Sequence, residues 1–181
     1  MRTLKYAILG LINRKPMTGY DIMKEFRSAL GNFWSAKHSQ IYPELKKLTK
    51  EGLLEYKTVM AGETLQKKLY TITEAGHTDF MQWLQRSEEI EPTAKDIFRL
   101  RMYFAAQMDG GTVNNLLEDQ LSQRSVKLEH LKDTMQSLNH DTCMQGEALG
   151  DYLVLDGAIM REESYITWLK KCIDLISNYK K

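Results

Sequence analysis

Residues 33–52, FWSAKHSQIYPELKKLTKEG, constrain this chain more than any other stretch. Ile41, Leu45 and Leu48 recur at helical spacing and supply one apolar face. Gln40, Tyr42, Lys46, Lys47 and Lys50 fall on the other side. Pro43 has no amide hydrogen to give, so the helix must begin about one turn earlier, near His38 or Ser39. Gly52 then closes it as a C-cap. Residues 53–59 and 67–73 alternate or carry β-branched and aromatic side chains. They are joined by a turn holding Ala61, Gly62, Glu63 and Thr64, the pattern of a β-hairpin. A basic-faced helix feeding a hairpin is the order of a winged helix-turn-helix, whose helix enters the DNA major groove while the hairpin tip meets backbone.

The preceding segments fit that order. Leu4, Ile8, Leu11 and Ile12 form the stripe of a first helix, ended by Pro16. Thr18 is placed to cap a second helix, with Asp21 at its third position and Ile22, Phe26 and Leu30 as its inner face; Gly31 stops it. Thr73 is placed to cap a fourth helix reaching about residue 86, with Phe80, Trp83 and Leu84 apolar.

Charge divides the chain in the same place. Net charge is only +1, but residues 1–86 hold 14 Lys/Arg against 8 Asp/Glu, and the remainder holds 11 against 16. A basic front and an acidic back suit a polyanion binder joined to an assembly domain. On the predicted reader helix, Gln40 has the groups to pair with adenine, and Lys46 and Lys47 can neutralise phosphate or reach guanine. Lys37, His38 and Ser39 stand at the helix start, where free amides favour a phosphate. Tyr42 shares the outer face, and Thr64, Lys67 and Lys68 mark the hairpin tip and its flank.

Catalysis finds no support. His38, His77, His130 and His140 are scattered, and neither an HExxH motif nor a phosphate-binding glycine loop occurs. Cys143 and Cys172 lack metal spacing and are expected to be reduced thiols. No catalytic residue, metal or cofactor is expected. The apolar run near the N-terminus is too short for a membrane span. A cytoplasmic protein without membrane contact is expected.

Residues 87–93, SEEIEPT, read as a linker, which gives a DNA-binding domain over 1–86 and a helical domain over 94–181. Thr93 is expected to cap the fifth helix, with Asp96 at its third position. Positions 117, 121, 124, 128, 131, 135 and 138 alternate steps of four and three, as do 152, 155, 159, 162, 166, 169, 173 and 176. Such spacing sets one stripe against a partner helix. The last helix has a second apolar edge, Tyr165, Trp168, Cys172 and Tyr179, which suggests a second partner, most simply another copy of the chain. Leu155, Ile159, Ile166, Leu169 and Ile173 are the residues expected to dimerise. The fold class is mainly α with a small β-hairpin: an N-terminal winged helix-turn-helix and a C-terminal helical dimerisation domain.

The segments LKYAILGLI, TGYDIMKEF, FWSAKHSQIYPELKKLTKEGLL and KKLYTITEAG closely resemble the PadR family of transcriptional regulators. FWSAKHSQIYPEL points to its phenolic acid-responsive branch, and KDIFRLRMYF and DYLVLDGAIMREESYITWL look like that branch's helical dimerisation domain. The resemblance implies a homodimeric repressor on a palindromic operator in double-stranded DNA. It would silence a phenolic acid decarboxylase gene until hydroxycinnamates such as p-coumaric or ferulic acid accumulate. Such an effector, a small aromatic carboxylic acid, needs an apolar slot, a cation for its carboxylate and a polar group for its phenol. Phe98 and Met102 could line the slot, with Arg99 or Lys95 meeting the acid. Phe33, Trp34 and His38, just before the reader helix, would link occupancy to its position if the pocket lies between the domains. Two alternatives stay open: a relative answering a drug or another signal, and a helical adaptor that binds protein rather than DNA.

Overall fold

The computed structural model describes residues 2–27, 37–61, 65–90, 94–138 and 146–179. The chain forms two compact units, Met1–Ile90 and Glu91–Lys181.

The first unit runs α1 (Thr3–Arg14), β1 (Met17–Thr18), α2 (Gly19–Arg27), α3 (His38–Lys50), β2 (Leu54–Ala61), β3 (Leu65–Ile72) and α4 (Glu74–Leu84). The apolar stripes meet in one core: Ile8 and Ile12 from α1, Ile22 and Phe26 from α2, Ile41, Leu45 and Leu48 from α3, and Phe80 from α4. Leu54 and Tyr70 close it from the sheet. Leu30 and Gly31, expected to finish α2, lie outside the described residues.

α2 starts where its cap chemistry dictates. The Asp21 carboxylate accepts from the Thr18 amide at 2.9 Å and from its hydroxyl at 2.7 Å, while the Thr18 hydroxyl accepts from the Asp21 amide at 3.3 Å. Thr18 serves a second purpose that its sequence does not reveal. Met17 and Thr18 pair antiparallel with Tyr70 and Leu69, making a three-stranded sheet in the order β1-β3-β2. A two-residue strand is too short to show periodicity.

Thr73 caps α4 by accepting from the Gly76 amide at 3.1 Å, and its own hydroxyl donates to the Gly52 carbonyl at 2.7 Å. The end of α3, the end of the hairpin and the start of α4 are thus tied at one side chain. Gly76 is required there, because a Cβ would overlap the Leu53 carbonyl oxygen, which is backbone and cannot step aside cheaply. Gly76→Ala is expected to destabilise the first unit by about 2 kcal/mol or more, in the range for overpacking. Thermal or urea unfolding checks it; an unchanged midpoint would show that α4 shifts freely.

The second unit holds α5 (Ile97–Tyr103), a 3-10 turn at Ala105–Gln107, α6 (Gly110–Ser137) and α7 (Glu147–Tyr179). Leu117 early in α6 packs in one cluster with Leu169 late in α7. Leu131 late in α6 packs with Leu155 early in α7, so the pair is an antiparallel hairpin. The cap of α5 is Asp96, accepting from the Arg99 amide at 3.0 Å, three residues later than the expected Thr93. Thr93 itself lies outside the described residues, as does Cys143.

The stripe expected to dimerise is used first within the chain. Leu155, Ile166 and Leu169 are buried, and Ile159 and Ile173 half-buried, in a single copy. The second edge of α7 is occupied too. Tyr165, Trp168 and Cys172 share a cluster with Phe98 and Met102 of α5 and with Ala105 and Met108 beyond it. α5 therefore covers these three side chains, while that of Tyr179, the fourth on this edge, lies outside the described residues.

Candidate nucleic-acid interface

α3 presents the two faces its spacing requires. Ile41, Leu45 and Leu48 are sealed in the core, while Ser39, Gln40, Tyr42, Lys46, Lys47 and Lys50 are exposed. The helix begins at His38, about one turn before Pro43, whose missing amide hydrogen forgoes a bond to the Ser39 carbonyl. The His38 side chain, together with Phe33, Trp34 and Thr64, lies outside the described residues.

Gln40 shows a conformation that its expected role did not anticipate. Its side-chain oxygen accepts from the Lys37 amide at 3.0 Å, which caps the helix start. Pairing with adenine through both amide groups requires it to leave that cap.

Two acidic side chains of this region are neutralised by a residue the sequence did not single out. The Arg2 guanidinium reaches Glu51 at 2.6 and 2.8 Å and Glu44 at 2.8 Å. The Glu51 bond holds the Arg2 guanidinium above its usual range and the Glu51 carboxyl below its own. Satisfying Glu44 and Glu51 from the rear leaves Lys46, Lys47 and Lys50 to set the potential of the outer face.

The hairpin places its lysines on opposite sides. Lys67 pairs with Val59 and Lys68 with Thr58, so successive side chains leave opposite faces. The Lys67 ammonium lies 5.5 Å from the centre of the Tyr20 ring, and the Lys68 ammonium 4.0 Å from that of Tyr56.

In the second unit, Phe98 and Met102 pack against the cluster of Val113, Leu117, Tyr165 and Leu169. Phe98 meets Trp168 edge-on at 6.2 Å, and Trp168 meets Tyr165 edge-on at 5.1 Å. The Arg99 guanidinium lies over Tyr165 at 5.0 Å and Trp168 at 5.4 Å. The Tyr165 hydroxyl donates to Asp96 at 2.7 Å. Burial, then this bond, pushes the Tyr165 phenol up. Burial alone would raise the Asp96 carboxyl, but the Arg99 amide and the Tyr165 hydroxyl more than offset it and hold it low. Lys95 is exposed just before α5. Tyr165, Trp168 and Asp96 were not singled out in the sequence as site candidates, because apolar or capping roles account for them. Among the described residues, no three His, Cys, Asp or Glu side chains are grouped to hold a metal, and no helix is long and apolar enough to cross a membrane.

Residues 8–82 match the model of the transcriptional regulator PadR-like family, and residues 94–177 match that of the virulence activator alpha C-terminal region. The negative transcriptional regulator PadR of Bacillus subtilis is 43% identical over 179 residues, covering 97% of this chain and 98% of the relative. The chain belongs to the PadR-like family. The crystal structure of Bacillus subtilis PadR in complex with operator DNA superposes with a TM-score of 0.92 at 43% identity, over 97% of this chain and 99% of that one. The same protein in complex with p-coumaric acid gives 0.87 at 42% identity, with the same coverage. The PadR-like match spans α3 and the hairpin, so the basic face described above lies within it.

Proposed function

We propose that this chain is a DNA-binding transcriptional repressor of a phenolic acid decarboxylase gene, released from its operator by hydroxycinnamic acids such as p-coumaric or ferulic acid. The observation that carries the reading is the near-complete superposition on a relative crystallised both with operator DNA and with p-coumaric acid. The exposed lysines of α3 supply the phosphate contacts such binding needs. The activity is binding and release rather than catalysis, and its place is the cytoplasm, with the DNA. The working form is a homodimer, and its two reader helices address a palindrome with half-sites about one turn (10–10.5 bp) or a multiple apart.

The effector shelf we assign within the second unit is Phe98, Met102 and Arg99, with Lys95 nearby and Tyr165 and Trp168 added from the structure. Its chemistry suits a flat acid: ring edges for the arene and a guanidinium for the carboxylate. Arg99→Ala is expected to raise the acid concentration for half-release by about tenfold, the equivalent of one lost charge-assisted hydrogen bond. Operator affinity without acid should stay within about twofold. Unchanged half-release would remove Arg99 from the shelf.

Footprinting tests the whole reading, on the DNA upstream of the chain's own gene and on a neighbouring decarboxylase promoter. Two protected half-sites that vanish on adding p-coumaric acid are expected. Protection indifferent to the acid would keep the repressor and discard its effector.

A further inference from the structure

The exposed aromatic side chains of the first unit are unevenly placed. Among its described residues, the large exposed aromatics are all tyrosines: Tyr20 at 58% exposure, Tyr42 at 43% and Tyr56 at 43%. They stand on α2, α3 and β2, around the reader helix. A Cβ on Gly19 would come within 2.7 Å of the Tyr42 ring, so that ring lies against the backbone directly beside Tyr20. On the sheet, the Tyr56 ring centre lies 5.7 Å from that of the buried Tyr70. The short strand β1 explains the placement of Tyr20, because pairing Thr18 with Leu69 brings the start of α2 alongside Lys67.

Two of these rings carry a lysine, Lys67 over Tyr20 and Lys68 over Tyr56, on opposite faces of the hairpin. A lysine resting on a ring has already given up part of the chain entropy that gripping a phosphate would otherwise cost. The phenol hydroxyl beside it is a neutral donor, the kind that commonly completes a phosphate contact. None of these three tyrosines belongs to the core cluster of this unit.

We propose that Tyr20 and Tyr56 are DNA-backbone contacts on the two faces of the hairpin, each a phenol donor paired with its own lysine on one phosphate. This assignment rests on the DNA-binding reading above. Neither Tyr20 nor Tyr56 belongs to the basic pattern from which the interface was read.

The two halves of each clamp differ in salt response. A lysine on phosphate releases a counterion, so Lys67→Ala and Lys68→Ala should each flatten the slope of log affinity against log salt by about 0.9. A phenol carries no charge. Tyr20→Phe and Tyr56→Phe should therefore each weaken binding by about three- to tenfold while leaving the slope unchanged. Both keep the ring and the lysine above it, so the melting temperature serves as a folding control. The probe is a fluorescein-labelled duplex of the chain's own upstream region, read by anisotropy across a KCl series. Phe variants that bind as tightly as the unaltered protein overturn the two clamps and leave the DNA reading intact. If the unaltered protein ignores this duplex and the decarboxylase promoter alike, the DNA reading fails and the clamps fall with it.

Discussion

Leu169→Asp is expected to unfold the helical hairpin rather than merely release a partner chain. Leu169 is 0% exposed in a single copy and packs with Val113 and Leu117 of α6 and Tyr165 of α7. Deleting a buried leucine costs about 2–5 kcal/mol. Adding a carboxylate with no partner in that setting adds several kcal/mol more, or forces its protonation. The sum exceeds what a domain of ordinary stability, about 5–15 kcal/mol in all, carries comfortably. Circular dichroism should show loss of much of the α6 and α7 signal. Met160 on the same helix is exposed, so Met160→Asp should leave helix content intact. A folded Leu169→Asp protein that only falls apart into monomers would mean the stripe faces the partner after all.

The second large effect centres on Glu162, a buried carboxylate at 1% exposure. It sits in the α7 stripe, where its neighbours are apolar, and Arg124 is the matching exception in α6. The two exceptions find each other. Arg124 donates to Glu162 at 2.8 Å and Lys127 at 2.7 Å, while the Arg124 guanidinium lies 3.6 Å over the Tyr165 ring. Burial alone would raise the Glu162 carboxyl, but the bonds from Lys127 and Arg124 more than offset that and hold it low. Because the folded-state carboxyl is lowered, its contribution is complete above the ordinary carboxylate range and is lost as pH falls through the folded value.

Glu162→Ala strands Arg124 and is expected to cost about 3 kcal/mol, the low end for breaking a buried pair. The low end applies because Lys127 is half in solvent. Replacing both Arg124 and Glu162 with leucine should recover most of that loss, since an apolar pair removes the desolvation penalty altogether. Urea unfolding of the single and double variants decides it. A double variant as weak as the single one would show that the ion pair contributes net stability rather than register.

Much of this was legible in the sequence because the signals are local and redundant. α3 announces itself by Ile41, Leu45 and Leu48 and by a proline that limits where it can start. Thr18 with Asp21, and Thr73, mark helix starts by chemistry that needs no tertiary context. What was not legible depends on pairing across distance. β1 is too short to carry a period and is defined only by β3. Asp96 took the cap from Thr93, and it also accepts from Tyr165, 69 residues away. The outer edge of α7 looked surplus because α5 is too short to show an amphipathic stripe strong enough to claim it. Arg124 and Glu162 stood out as breaks in two stripes, but spacing alone could not say that the breaks coincide.

For the candidate interface, the exposed lysines of α3 could be read from the sequence, whereas the supporting parts could not. Arg2 lies 49 residues from Glu51, and nothing in its local sequence announces that contact. Gln40 has two roles available, cap and reader, and only the structure shows it in the first.

The measurement that tests the central claim most directly is a fluorescence-anisotropy titration of the chain's own upstream DNA and a neighbouring decarboxylase promoter, with and without p-coumaric acid. An effector shifts DNA affinity only by its differential affinity for two conformations, typically worth about 1–3 kcal/mol. The account predicts tight binding that weakens roughly 5–150-fold at saturating acid. Binding that saturating acid leaves unchanged would contradict it.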